Sequence, residues 1–253
     1  MRTFAAAATL IALATPAFAH FQEILPSEDV LPDGGKVVVD LVFTHPMERG
    51  PTMDMVRPTR VGVVTERGIE DLSGTLVETP IDGKQAWRFE RNIAEPGAQV
   101  LFVEPQPYWE PAENKYIIHY AKVVVDGYAS GEGWDRLVGL PVEIAPLVRP
   151  TGIWTGNLFR GVVLKDGQPV PGAEIEVEWV NDGSVTPPNE AFITQVIKAD
   201  DMGVFSYAMP KAGWWGFAAL IDGPEAQSPA GKPASTELGA LMWVKATDMG
   251  GPK

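Results

Sequence analysis

Short runs of β-branched and aromatic residues recur along the whole chain, and glycine, proline, asparagine or aspartate closes each run. The 253 residues include 26 glycines and 23 prolines, and apolar residues rarely repeat with helical spacing. This punctuation is typical of short strands joined by tight turns, and it disfavours long helices. The sequence therefore predicts an all-β fold made of β-sandwiches.

A Pro-Thr-Gly segment at residues 150–152 has the composition of a hinge between two sets of strands. We expect an N-terminal metal-binding β domain over 20–148 and a C-terminal β-sandwich over 149–253. The glycine- and proline-rich stretch 223–237 is expected to be a long flexible loop. The candidate strands are 36–44, 59–66, 86–91, 99–104, 115–125, 140–147, 158–165, 174–180, 192–198, 203–209, 215–221 and 240–245.

Residues 1–19 have the pattern of a secretory signal peptide. One early positive charge, Arg2, precedes an apolar run, and the run ends in the small-x-small sequence at 17–19. Cleavage after Ala19 would make His20 the first residue of the mature protein. We therefore expect a periplasmic protein whose signal peptide, 1–19, has been removed.

Composition and motifs exclude several classes of function. There is no cysteine, so disulfides, thiolate metal ligands and cysteine nucleophiles are excluded. The formal net charge is −13, which disfavours nucleic acid and anionic membranes and favours cations. No nucleophile elbow, His-Glu-x-x-His or phosphate-binding glycine loop occurs. We expect a binding protein and not an enzyme.

The chain has only three histidines, His20, His45 and His119. At a mature N-terminus, His20 would offer both its α-amine and its imidazole to one metal ion. His45 ends an apolar run directly before Pro46, which places it at the rim of a sheet. His119 lies within a candidate strand, where a histidine can also be a packing residue. Four nitrogen donors would favour Ni(II) or Cu(II), and affinity would fall as the imidazoles become protonated.

Other side chains near these histidines could add to a metal site. Glu48 could be a ligand or could orient an imidazole. The thioethers of Met53 and Met55 would favour Cu(I) if they lay over the site, although methionine also fills ordinary cores. The aromatic and acidic stretch 107–113 could form a wall or lid. Alternatives to a nickel site are a periplasmic copper carrier, a copper oxidase with a histidine brace and a carbohydrate-binding module.

Several segments together resemble a known family. They are His20, 43–48 (FTHPME), 53–55 (MDM), 107–113 (PYWEPAE) and 116–124 (YIIHYAKVV). They resemble the NikK-type periplasmic components of energy-coupling-factor nickel importers, a family long labelled as a domain of unknown function. The similarity covers nearly the whole mature chain.

The resemblance implies capture of Ni(II), or of Co(II), and its delivery to importer components embedded in the membrane. Carried over by position, the implied ligands are His20, His45 and His119. The C-terminal part is similar to a sandwich of the prealbumin or carboxypeptidase-regulatory type, a common module that implies no specific activity.

Overall fold

A computed structural model describes residues 20–250 of the chain and consists of β-strands, turns and two three-residue 3-10 helices, Ser73–Thr75 and Glu190–Phe192. The predicted all-β fold is confirmed. The strands of the first half are β1 (Phe21–Pro26), β2 (Val30–Leu31), β3 (Gly35–Thr44), β4 (Arg60–Thr65), β5 (Gly68–Asp71), β6 (Val77–Glu78), β7 (Trp87–Ile93), β8 (Gly97–Glu104), β9 (Tyr108–Glu110) and β10 (Lys115–Gly127).

The strands of the second half are β11 (Val142–Pro146), β12 (Ile153–Trp154), β13 (Leu158–Lys165), β14 (Gln168–Pro169), β15 (Glu174–Trp179), β16 (Gln195–Lys198), β17 (Val204–Ala208), β18 (Gly213–Asp222), β19 (Ala226–Gln227) and β20 (Pro233–Thr247). No helix within residues 20–250 has the length and apolar character needed to cross a membrane.

A large central sheet runs through the molecule in the order β16-β15-β18-β20-β10-β8-β4-β5. A second sheet has the order β1-β3-β7-β6, and a third contains β11, β13, β14 and β17. The alternation along β10 shows how the layers pack. Ala121 and Val123 belong to the hydrophobic cluster shared with the β1 sheet, whereas Val124 belongs to the cluster shared with the β13 sheet. The central sheet is therefore covered on both faces.

Parallel pairing of β10 with β20 connects the two halves of the chain, with Lys115 opposite Ser235 and Val123 opposite Trp243. The Trp243 ring is fully buried against Phe21, and its Nε1 donates a hydrogen bond of 2.9 Å to the carbonyl of Gln22. The pairing of β11 with β13 also crosses residue 148. The division into domains at 148 stays a prediction.

Two segments differ from the expectations drawn from the sequence. β1 was not among the candidate strands, because its buried Gln22 and Glu23 interrupt the apolar alternation that marks a strand. The prediction of a loop over 223–237 was wrong in part, because β19 lies within this stretch and β20 begins at Pro233. The polar residues 235–237 are strand because β10 supplies their backbone partners, and residues 233 and 234 pair with β19.

A buried ion pair attaches the third sheet to the central one. The Nζ of Lys122 on β10 donates a hydrogen bond of 2.5 Å to Glu143 on β11, and both side chains are buried. Burial lowers the pKa of Lys122, and the carboxylate of Glu143 opposes this effect. Glu143 also accepts hydrogen bonds from the backbone N–H groups of Val138, Gly139 and Leu140.

Removing the two partners of this pair should therefore have unequal effects. Glu143→Ala leaves a buried ammonium and three N–H groups without their acceptor, and we expect it to lower the free energy of unfolding by about 3–5 kcal/mol. Lys122→Met leaves the carboxylate with its N–H donors and should cost less. Urea denaturation of both variants measures the difference. An equal or larger loss for Lys122→Met would contradict this assignment.

Candidate metal centre

The register between β1 and β3 brings His20 and His45 together. Phe21 pairs with Thr44 in this antiparallel ladder, so His20 and His45 lie one residue beyond the last pair on their respective strands. Their ring centroids are 4.7 Å apart, with an angle of 54° between the ring planes. Strand pairing alone therefore makes neighbours of two histidines that are far apart in the sequence.

His119 lies on β10 and is only 2% exposed. Across the parallel pairing it faces Gly239 of β20. A Cβ added at position 239 would overlap Cδ2 of His119 and would lie 2.7 Å from its Cγ. The imidazole thus occupies the space that a side chain at 239 would need.

A carboxylate on β20 fixes one nitrogen of His119. The Nε2 atom lies 3.1 Å from Oε1 of Glu237, and the other oxygen of Glu237 accepts a hydrogen bond of 2.8 Å from Lys115. Burial would raise the pKa of Glu237, but hydrogen bonds and charges from His119 and Lys115 outweigh burial and lower it to about 2. The ionised carboxylate favours a proton on Nε2, which leaves Nδ1 as the nitrogen with a lone pair.

Nδ1 of His119 is buried and has no hydrogen-bond partner among residues 20–250. Buried polar atoms without partners are rare in proteins, and one explanation is an ion that the structure does not contain. An imidazole held by a carboxylate through one nitrogen, with the other nitrogen open, is the usual arrangement of a histidine that binds a metal.

His20 is enclosed by a carboxylate and aromatic rings. Its Nε2 lies 3.3 Å from Oε2 of Glu110, and its ring stacks on Phe43 with a centroid distance of 5.5 Å. Burial lowers the pKa of His20, and the charge of His119 lowers it further, while nearby carboxylates oppose the change. The neutral imidazole that results is the form that can bind a metal.

Phe43 contacts two of the three histidines, His20 and His119. Besides stacking on His20, its ring makes an edge contact with His119 at 6.2 Å and another with Tyr108 at 5.1 Å. A cavity of about 210 Å³ adjoins this cluster, and His119 is one of its walls. The other lining residues are mostly aromatic or apolar and include Phe43, Met55, Tyr108, Trp109 and Ile117.

The histidine cluster is not a preorganised metal cage. Within residues 20–250, no three histidine, aspartate or glutamate side chains are placed so that their donor atoms could hold one ion. The imidazoles share one aromatic environment, but their nitrogens do not converge. Binding an ion through all three would require the side chains to rotate.

The secondary candidates lie at different distances from this cluster. Glu48 is exposed, and its pKa is raised by partial burial and by the charge of Glu190. Met53 belongs to the hydrophobic cluster beside the β1 sheet, and its N–H donates to the carbonyl of Phe43. Met55 lies in the same hydrophobic cluster and also lines the cavity beside His119.

The structure adds Glu237 and Gly239 to the site, and sequence reasoning missed both. Glu237 falls within the stretch expected to be a loop, so nothing in its local pattern indicated a position beside His119. The stretch 107–113, expected to be a wall, supplies Tyr108, Trp109 and Glu110 around the cluster.

A family model described as a domain of unknown function, DUF4198, matches residues 17–223. The chain belongs to this family. The matched region includes all three histidines of the DUF4198 chain, and it ends before Glu237 and Gly239. No curated protein sequence matches this chain.

The solved structures to which the DUF4198 chain is similar share little sequence identity with it. An Escherichia coli alpha-2-macroglobulin shares 12% identity at a TM-score of 0.25, covering 90% of this chain and 14% of its own. A chicken tenascin segment of two fibronectin type-III domains shares 10%, covering 90% of this chain and 100% of its own at a TM-score of 0.25. A putative carbohydrate binding protein from Bacteroides uniformis shares 13% sequence identity at a TM-score of 0.24, and the match covers 76% of this chain and 90% of that protein.

The contact between Gly239 and His119 can be tested by adding one methyl group. We expect Gly239→Ala to lower the free energy of unfolding by about 1–3 kcal/mol and to displace the imidazole, because a buried ring has little room to move. Gly74→Ala is the matched control, since a Cβ there meets no atom within 4 Å. Urea denaturation and the NMR shifts of the His119 ring measure both effects. A harmless Gly239→Ala would refute the close packing.

Glu23 should make stability depend on pH. Burial, with the charges of Glu178 and Asp40, raises the pKa of Glu23 from 4.5 to about 8. The proton held by the folded state therefore stabilises it fully below pH 4.5, and this contribution is lost as the pH rises through 8. At pH 9 we expect Glu23→Gln to unfold with a free energy about 2 kcal/mol or more above wild type, and at pH 4.5 to match it. Urea titrations at both pH values would show no such divergence if Glu23 were ionised at neutral pH.

Proposed function

We propose that this protein captures Ni(II), or Co(II), in the periplasm and supports its delivery to a membrane-embedded nickel importer. His20, His45 and His119 are the proposed ligands. The observation that carries the proposal is a continuous set of ring contacts that links all three histidines, in which His20 contacts His45 and Phe43 contacts both His20 and His119. The resemblance to NikK-type components supports nickel as the cargo.

The protonation of the cluster suits a nitrogen-bound divalent metal. His20 has a lowered pKa, and His119 has an open Nδ1 whose opposite nitrogen is held by Glu237. Imidazole nitrogens suit Ni(II), Co(II) and Cu(II) better than they suit Mg²⁺ or Ca²⁺. The net charge of −13 would raise the local concentration of cations.

Signal cleavage would supply a further donor. In the full chain the nitrogen of His20 is a peptide nitrogen following Ala19, and it cannot bind a metal as an amine does. Removal of 1–19 would free it on the residue whose ring lies beside that of His45. The new amine could then form a chelate with the His20 imidazole. Glu110, which lies beside the Nε2 of His20, would have to yield that nitrogen if the metal used it.

A copper carrier is the second candidate, and Met55 is the observation that favours it. Its thioether lies in the wall of the cavity that His119 also lines, and thioethers prefer Cu(I). A copper oxidase would need the same His20 and would consume oxygen in the presence of a reductant. Met55→Leu separates the carriers, because it should weaken Cu(I) binding and leave Ni(II) binding within about twofold.

Calorimetric titration of the protein beginning at His20 with Ni(II) tests the proposal. We expect one ion per chain. His45→Ala, His119→Ala and one glycine added before His20 should each weaken binding at least about tenfold, because each removes a donor. Met202→Leu, an exposed substitution, is the control that should bind as wild type does. Absence of Ni(II) binding, or equal binding by all variants, would refute the nickel site.

A further inference from the structure

The loop that follows His45 is held by the second half of the chain. Glu178 on β15 accepts a hydrogen bond of 3.0 Å at Oε2 from the backbone N–H of Met47. The other oxygen, Oε1, accepts one of 2.6 Å from the hydroxyl of Thr194. Glu178 is only 1% exposed. A buried carboxylate 131 residues away in the sequence thus fixes the chain two residues after a proposed ligand.

Asn181 holds the same loop from the other side. Its Nδ2 donates hydrogen bonds of 2.9 Å to the carbonyl of Met47 and 2.8 Å to that of Val185. Its backbone N–H donates a hydrogen bond of 3.2 Å to the carbonyl of Pro46. Asn181 is also buried. Three consecutive polar groups of the backbone at 46–47 therefore have their partners on residues 178 and 181.

The loop has a few further contacts, since the side chain of Met47 is buried in the core cluster and the N–H of Arg49 donates a hydrogen bond of 3.3 Å to the carbonyl of Pro46. The loop turns back on itself, because the N–H of Gly50 donates a hydrogen bond of 3.0 Å to the carbonyl of His45. The side chains of Glu48 and Arg49 are exposed. His45 ends β3 one residue beyond Thr44, the last residue of the ladder with β1. Because His45 is bonded directly to Pro46, the position of the segment 46–47 contributes to the position of its imidazole.

We infer that Glu178 and Asn181 are positioning residues for the metal site, which hold the His45 imidazole beside His20 by fixing the backbone of 46–47. This inference rests on the proposed function and gives the second half of the chain a part in it. A hydrogen-bond partner behind a ligand typically changes metal affinity by about 10–100-fold when it is removed. Binding of the metal ion costs less conformational entropy when the loop that carries His45 is already ordered before the ion arrives.

A double-mutant cycle on the processed full chain tests the inference. Ni(II) affinity is measured by calorimetry for Glu178→Ala and Asn181→Ala, alone and combined with His45→Ala. We expect each single change to weaken binding about tenfold, because the imidazole loses its fixed position. In the His45→Ala background the same changes should have less than a twofold effect, since no ligand remains to be positioned.

Glu174→Gln is the matched control. It lies on the same strand and the same face as Glu178, four residues away, and it is exposed. It should bind Ni(II) within twofold of wild type. Glu178→Gln keeps one acceptor oxygen and should recover part of the lost affinity. The visible absorption of bound Co(II) reports the geometry of the ligands, and it should change in Glu178→Ala and stay as in wild type in Glu174→Gln.

The outcomes separate this inference from the function on which it rests. If His45→Ala weakens binding and the Glu178 and Asn181 variants do not, the positioning role is refuted and the nickel site stands. Equal losses with and without His45 would also refute it, because they would show a general loss of structure. If the wild-type protein binds no Ni(II), the proposed function fails and this inference fails with it.

Discussion

Parallel pairing between β10 and β20 is the interaction on which the rest of the molecule depends. It joins the strands of both halves into one sheet, and that sheet is buried on both faces because a smaller sheet covers each side. It also creates the environment of His119, with Gly239 providing space and Glu237 providing a carboxylate. Parallel strands need a long connection, and here the connection contains most of the second half.

The candidate metal centre lies where three independent constraints meet. The β1–β3 register places His20 beside His45, the central sheet places His119 under Phe43, and β15 with Asn181 holds the loop after His45. Each histidine thus has its own structural support. The nitrogens nevertheless do not converge within the described residues. Ligands that approach one another without forming a rigid cage would suit the proposed carrier, which must also release its ion.

Much of the first half could be predicted from local pattern. The runs at 36–44 and 115–125 alternate or are continuously apolar, and both are strands with nearly those bounds. β1 could not be found in this way, since its Gln22 and Glu23 look like surface residues and are buried. The first residues of β20 were also missed, because their polar side chains gave no signal and only the partner strand makes them extended.

The sequence by itself determined the all-β class and supplied the candidate nitrogen donors, because turn residues limit the length of each element and a chain without cysteine offers few soft ligands. It also marked His20 through the pattern of 1–19, a prediction that lies outside the described residues. Only the tertiary structure decided which side chains stand behind those donors. Glu178, Asn181, Glu237 and Gly239 reach the site through contacts between segments more than a hundred residues apart, and no local pattern encodes contacts between segments so distant in the chain.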